Sequence, residues 1–244
     1  MLLPILILAL ISATGLLLFL FDRVNRLVLN ALIGLGAGSM LSVSLVHIFP
    51  ASLEQTEYAV YAFIAGFLAI YLIEEILTPH IHDSGHGDHT HEDPHEHYDH
   101  VALVSFIAIF LHTLFDGLGI RAGFAISTEI GYTILIGIAI HQIPVSLSLA
   151  ALFRESKFQT HIQIIFILIF ALAAPIGFAI SDIVFSDISG VWTGLITAMA
   201  GGSLLYVATA DLLPVIHSQT RNKYITVLLF IIGAVGMSAV RFFE

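Results

Sequence analysis

Residues 101–128, VALVSFIAIFLHTLFDGLGIRAGFAIST, decide how the chain reads. A run of about 20 apolar residues is enough to cross a bilayer, yet this one carries His112 and Asp116 in its middle. Standing four apart, they share one helix face. A second run, 131–153 (GYTILIGIAIHQIPVSLSLAALF), repeats the anomaly with His141-Gln142-Ile143-Pro144. Ionisable groups at hydrocarbon depth are costly, and where they occur they line binding sites or ion paths. The rest of the chain reads as the frame around these two segments.

Working outward, composition places the whole chain in a membrane. Of 244 residues, 58% are hydrophobic and only 11% charged, against about 25% charged in a soluble domain; mean hydropathy is +0.98. The apolar stretches predict eight spans, near 2–21, 27–49, 58–77, 101–128, 131–153, 161–181, 191–217 and 224–240, in one polytopic domain over 1–244. The first lacks a basic leading region and a small-residue cleavage site, so it reads as a span and not a signal peptide. No cysteine is present, which excludes thiolate metal ligands. The net charge of −10 argues against nucleic acid as a partner.

Between the third and fourth spans lies the one substantial loop, 79–100. It holds His80, His82, His86, His89, His91, His95, His97 and His100 with six acids and no Lys or Arg. Such a tract cannot bury a core and is expected to be disordered, with many weak ligands suited to capturing metal. If the spans alternate, Arg23, Arg26, Arg154, Lys157, Arg221 and Lys223 share one side, and only Arg121 and Arg241 the other. The positive-inside rule then puts both termini outside and the histidine-rich loop in the cytoplasm.

An internal repeat accompanies this layout. Gly38-Ser39-Met40-Leu41 leads to His47 and Pro50, and Gly202-Ser203-Leu204-Leu205 leads to Asp211 and Pro214 at the same offsets. The two spans run in opposite directions, so the expected arrangement is 3+2+3, an inverted repeat around the central pair, as in many transporters. His112 and His141 each lie about 12 residues from the cytoplasmic ends of their spans, so both sit near the midplane at 1.5 Å per residue. Two imidazoles and a carboxylate at one depth suit Zn²⁺, Fe²⁺ or Mn²⁺ and not an alkali ion. Pro144 frees the carbonyl of Ile140. His47, Asp211, Glu74 and Glu75 read as way-stations or gates on the path.

With these residues assembled, the sequence resembles the ZIP family of divalent-metal transporters. His112-Thr113-Leu114-Phe115-Asp116 is similar to the family's span-4 pattern His-Asn-x-x-Asp, and His141-Gln142-Ile143-Pro144-Val145-Ser146 to its span-5 pattern His-Glu-x-Pro-His-Glu. His47 to Ala51 and Leu205 to Pro214 are similar to the span-2 and span-7 patterns, with Asp211 where glutamate is usual. Thr113, Gln142, Val145 and Ser146 depart from the pattern, removing most of the second half of a paired-metal centre. The resemblance implies Zn²⁺ or another divalent ion as transported substrate; with these departures it leaves His112, Asp116 and His141, plus neutral oxygen from Thr113 or Gln142, to hold one ion per cycle. It also implies a homodimer and an elevator-like movement.

The expected function is therefore passage of a divalent transition metal, foremost Zn²⁺, across the cell membrane into the cytoplasm, with no covalent chemistry and no organic cofactor. Two rivals stand beside it. A metal-binding sensor or scaffold that moves nothing is favoured by the missing span-5 ligands. An intramembrane metalloprotease is disfavoured because no predicted span carries a His-Glu-x-x-His pair on one helix.

Overall fold

The computed structural model describes residues 2–20, 25–77, 94–184, 190–214 and 223–243. Among them, eight helices are long and apolar enough to cross a membrane, and none of these residues is in a strand. They are α1 (Leu3–Leu20), α2 (Leu27–Gln55), α3 (Ala59–Ile76), α4 (Ala102–Ile126), α5 (Thr128–Glu155), α6 (Thr160–Ile183), α7 (Gly190–Ala210) and α8 (Lys223–Val240). Large apolar side chains such as Tyr61, Leu72, Leu228 and Val235 face outward, as they do on a surface solvated by lipid. The chain is an all-α, multi-pass integral membrane protein.

Several boundaries differ from the sequence reading, each for a local reason. α2 does not stop near Pro50 but continues to Gln55. Pro50 has no N–H for the carbonyl of Val46; Arg241 Nη1 donates to that oxygen at 2.9 Å instead. The break in α6 falls at Leu172, between Thr160–Ala171 and Ala173–Val184, so Pro175 sits in the first turn of the second piece and not at the break. The turn between α4 and α5 shrinks to one extended residue, Ser127, whose side chain accepts from the Ile130 N–H at 3.1 Å and caps α5. α4 continues backward to Pro94. Residues 94–100, which carry His95, His97 and His100, are thus helical and not loop, with proline at the first position, where its missing N–H costs nothing.

Helix pairing follows a pattern. α2 packs on α8 and α3 on α7; α4 packs on α6 and α5 on α1; α4 meets α7 and α5 meets α2. Exchanging α1, α2, α3 and α4 with α6, α7, α8 and α5 turns each pair into its companion. Gly38 admits the carbonyl of Phe230 on α8, and Gly202 admits that of Phe63 on α3; a Cβ at either would overlap the neighbour. Two π-helical segments, Val43–Ile48 and Val207–Leu212, occupy corresponding places in α2 and α7. The two helices cross antiparallel, with the Ser44 hydroxyl on the carbonyl of Gly201 at 2.7 Å and Gln55 beside Gly190 and Gly194.

Polar contacts also sort the helix ends. Arg154 Nη1 donates to Leu18 O at 2.8 Å, and the Lys157 N–H to Asp99 Oδ1 at 2.6 Å, joining α1, α4 and α5 on one side. Arg121 pairs with Asp182 at 2.6 Å on the other. Arg23 and Arg221 lie outside the described residues.

Candidate metal centre

α4 and α5 pack together and bring His112, Asp116 and His141 to one point. His112 Nε2 is 3.4 Å from Asp116 Oδ2, and His141 Nε2 is 3.5 Å from the same oxygen. The imidazole centroids are 6.0 Å apart, and one donor atom of each residue lies within 4.8 Å of the others. Around a tetrahedral ion bound at about 2.0–2.1 Å, adjacent ligand atoms stand roughly 3.3–3.5 Å apart. The two separations from Asp116 have that value.

The hydrogen-bonding state of these groups is more telling than their spacing. Asp116 and His141 are fully buried, and His112 is 4% exposed. Both ring nitrogens of His112, Thr113 Oγ1, both oxygens of Asp116, His141 Nε2 and Gln142 Oε1 have no hydrogen-bond partner. Among the described residues, every buried side-chain nitrogen or oxygen in that condition belongs to these five residues. Each such atom costs roughly 1–3 kcal/mol unless something satisfies it. Uncommitted donors on His112, Asp116 and His141, within 4.8 Å of one another, fit a cation that they bind together.

Local structure orients the ligands. His141 Nδ1 lies 3.3 Å from the carbonyl of Gly137, one turn earlier, which leaves Nε2 toward Asp116. Gly36 backs His141 from α2; a Cβ there would stand 3.0 Å from the His141 Cα. The glycines of the second half of α4 admit neighbours. Gly117 takes the Ala174 carbonyl of α6, Gly119 the Ala200 side chain of α7, and Gly123 the Ile134 side chain of α5.

The next residues of α5 face a different partner. Gln142 Nε2 donates to Ser12 Oγ at 2.9 Å. The Ser146 hydroxyl donates to the carbonyl of Ser12 and accepts from the Gly15 N–H at 2.8 Å. Here α1 passes through a 3₁₀ turn, Ala13–Leu16, and the Ser146 hydroxyl is inserted between a carbonyl and an N–H that such a turn would otherwise join. Sequence reasoning missed Ser12 and Gly15. The available signal was a Ser-Ala-Thr-Gly stretch, 12–15, inside an otherwise apolar span.

A cavity of about 310 Å³ reaches from His112, Pro144 and Val145 past Ser105 and Ser148 to Glu74. It lies on the side marked by Arg154 and Lys157. On the opposite side of the centre, buried Met40, Val43, Ile120, Ile134 and Ile138 close the bundle. Glu74 Oε2 accepts from the Tyr206 hydroxyl at 2.8 Å, while Glu75 is exposed at the end of α3. His47 is buried in the α2 π segment, with Nε2 2.8 Å from the carbonyl of Met237 on α8. Asp211 belongs to the α7 π segment. His80, His82, His86, His89 and His91 lie outside the described residues.

These features define a class: a multi-pass helical membrane protein enclosing a buried His/Asp cluster able to hold a cation. The sequence pattern of the family described as ZIP Zinc transporter matches residues 79–241, and the chain belongs to that family. It is 25% identical over 168 residues to zinc transporter ZIP1 of Danio rerio, covering 67% of this chain and 55% of the relative. It is 23% identical over 249 residues to zinc transporter zipt-7.1 of Caenorhabditis briggsae, covering 79% and 63%. To zinc transporter YKE4 of Saccharomyces cerevisiae it is 24% identical over 227 residues, covering 83% and 65%. The chain thus spans between half and two thirds of the length of these relatives.

Proposed function

We propose that this chain carries divalent transition-metal ions, Zn²⁺ foremost, across a cell membrane, or an organelle membrane in a eukaryote, into the cytoplasm. One observation carries the reading: the buried, unpartnered donor atoms of His112, Thr113, Asp116, His141 and Gln142 are gathered on adjoining turns of α4 and α5. The ion is substrate, held by His112, Asp116 and His141 with neutral oxygen from Gln142 or Thr113. One ion per cycle is the natural stoichiometry for a single carboxylate and two imidazoles. No covalent step and no organic cofactor enter the scheme.

The cavity toward Glu74 is the release route; Arg154 and Lys157 on that side of the bundle support a cytoplasmic face there by the positive-inside rule. The histidines between 80 and 100 receive the ion there. His47 and Asp211, at equivalent positions of the two π segments, are gate residues. Support for a 3+2+3 inverted arrangement comes from the exchangeable helix pairs. Support for sliding of a site-bearing unit comes from the same pairs, because α1, α4, α5 and α6 pack as one set and hold every proposed ligand. Homodimer assembly is carried over from the family resemblance.

The test is uptake into sealed proteoliposomes, comparing Zn²⁺, Fe²⁺, Mn²⁺ and Cd²⁺, with a His112→Ala/Asp116→Ala control. Saturable uptake lost in the control is the expected result. A sensor or scaffold that binds metal without moving it is the second reading, favoured by the engagement of Gln142 and Ser146 with α1. Bound metal with no uptake, in folded protein, would select it.

A further inference from the structure

We infer that Ser12, on α1, is a positioning residue for the metal centre, acting through Gln142. The inference rests on the reading of Gln142 as an oxygen ligand and adds what sets that ligand in place. Gln142 has two ends. Its nitrogen donates to Ser12 Oγ at 2.9 Å, and its oxygen has no partner although the whole residue is buried. With the nitrogen on Ser12 Oγ, the oxygen is the end left for a cation. Repulsion from a donor N–H₂ is removed at the same time, because both ends of the amide have fixed roles.

Ser12 is itself held. Its carbonyl accepts from the Ser146 hydroxyl, which in turn accepts the Gly15 N–H, and Ser12 and Ser146 are both fully buried. The 3₁₀ turn at Ala13–Leu16 is what brings this carbonyl and this N–H to one hydroxyl of α5. The chain of contacts therefore runs from a local irregularity in α1, through two serines, to the amide next to His141. A helix with no ligand of its own in the centre sets the fourth donor.

The experiment is equilibrium Zn²⁺ binding to the purified full chain, by competition with a chelating dye, together with the visible spectrum of bound Co²⁺. Outer partners of metal ligands typically contribute about 10–100-fold in affinity. Ser12→Ala is expected to weaken Zn²⁺ binding about 10-fold and to shift the Co²⁺ spectrum toward that of Gln142→Met. Ser12→Thr, which keeps the acceptor, restores both. In the Gln142→Met background Ser12→Ala costs nothing further, since its effect passes through the amide. Unchanged affinity in Ser12→Ala, an equal loss in both backgrounds, or no rescue by threonine overturns the inference. Where Ser12→Ala does not fold, Ser12→Cys, of similar size and a weak acceptor, gives the same comparison. Wild-type protein that binds no metal, or binds it equally well as His112→Ala/Asp116→Ala, defeats the underlying reading instead, and the two failures are told apart.

Discussion

α4 and α5 meet at the centre on unequal terms. Five of the seven uncommitted atoms belong to α4, from His112, Thr113 and Asp116, and two to α5, from His141 and Gln142. Beyond His141, α5 turns its polar side chains toward α1. Ser146 stands where the family resemblance expects a carboxylate, and a carboxylate could not donate to the carbonyl of Ser12 as this hydroxyl does. What α5 lacks in ligands it has in hydrogen bonds to another helix. The α5 departures from the family pattern at Gln142 and Ser146 and the docking of α1 therefore fall on the same two side chains.

The largest effect that tests this contrast is removal of the α4 carboxylate. Asp116→Ala deletes the oxygen that both imidazoles approach. Zn²⁺ affinity should fall by at least about 100-fold, beyond the 10–100-fold typical of outer partners, and uptake should vanish. Gln142→Met should cost less. A competition titration on both variants ranks the two helices, and equal losses would abolish the asymmetry.

That ranking also explains what was legible in advance. His112, Asp116 and His141 stood out because a charged group in an apolar run has few innocent explanations. The eight spans were legible for the same reason, since apolar length is written directly in the sequence. Helix ends were less so: Pro50 looked like a stop, yet the helix continues to Gln55, with Arg241 donating to the Val46 carbonyl that proline leaves free. The role of Ser146 was hidden entirely. A lone serine in a span carries no signal until α1 is seen to offer a carbonyl and an N–H to the same hydroxyl.

Next in size is an attack on the α1 docking itself. A Cβ at Gly15 would stand 2.5 Å from Ser146 O and 2.7 Å from its Oγ. Backbone cannot yield as a side chain can, so Gly15→Ala should destabilise the protein by about 1–3 kcal/mol. A thermal unfolding series in detergent reads this directly. Gly66→Ala, which meets the Met199 carbonyl between α3 and α7, is the matched control. If the α1 contact is peculiar in serving the centre, only Gly15→Ala should also weaken Zn²⁺ binding. A gain of function sharpens the contrast further. Val145 lines the cavity with His112, and Val145→His restores the residue type of the span-5 pattern. Zn²⁺ should bind about 10-fold more tightly, or about 1.4 kcal/mol, and leave more slowly, as stopped-flow release would detect.

The smallest effect is expected at the far end of the cavity. Glu74 shares that space with His112 but lies on α3, outside the two helices, α4 and α5, that carry the ligands. Its proposed role is to draw the ion out and not to bind it at rest. A carboxylate in a low-dielectric cleft raises the local concentration of cations and so acts on rates. Glu74→Gln keeps an oxygen for the Tyr206 hydroxyl, so packing should survive. Uptake should drop about 2–5-fold at low ionic strength while equilibrium affinity at the centre stays unchanged, and added salt should narrow the gap. A matching loss of affinity would make Glu74 part of the centre itself, and the division between a binding pair of helices and a release route would have to be redrawn.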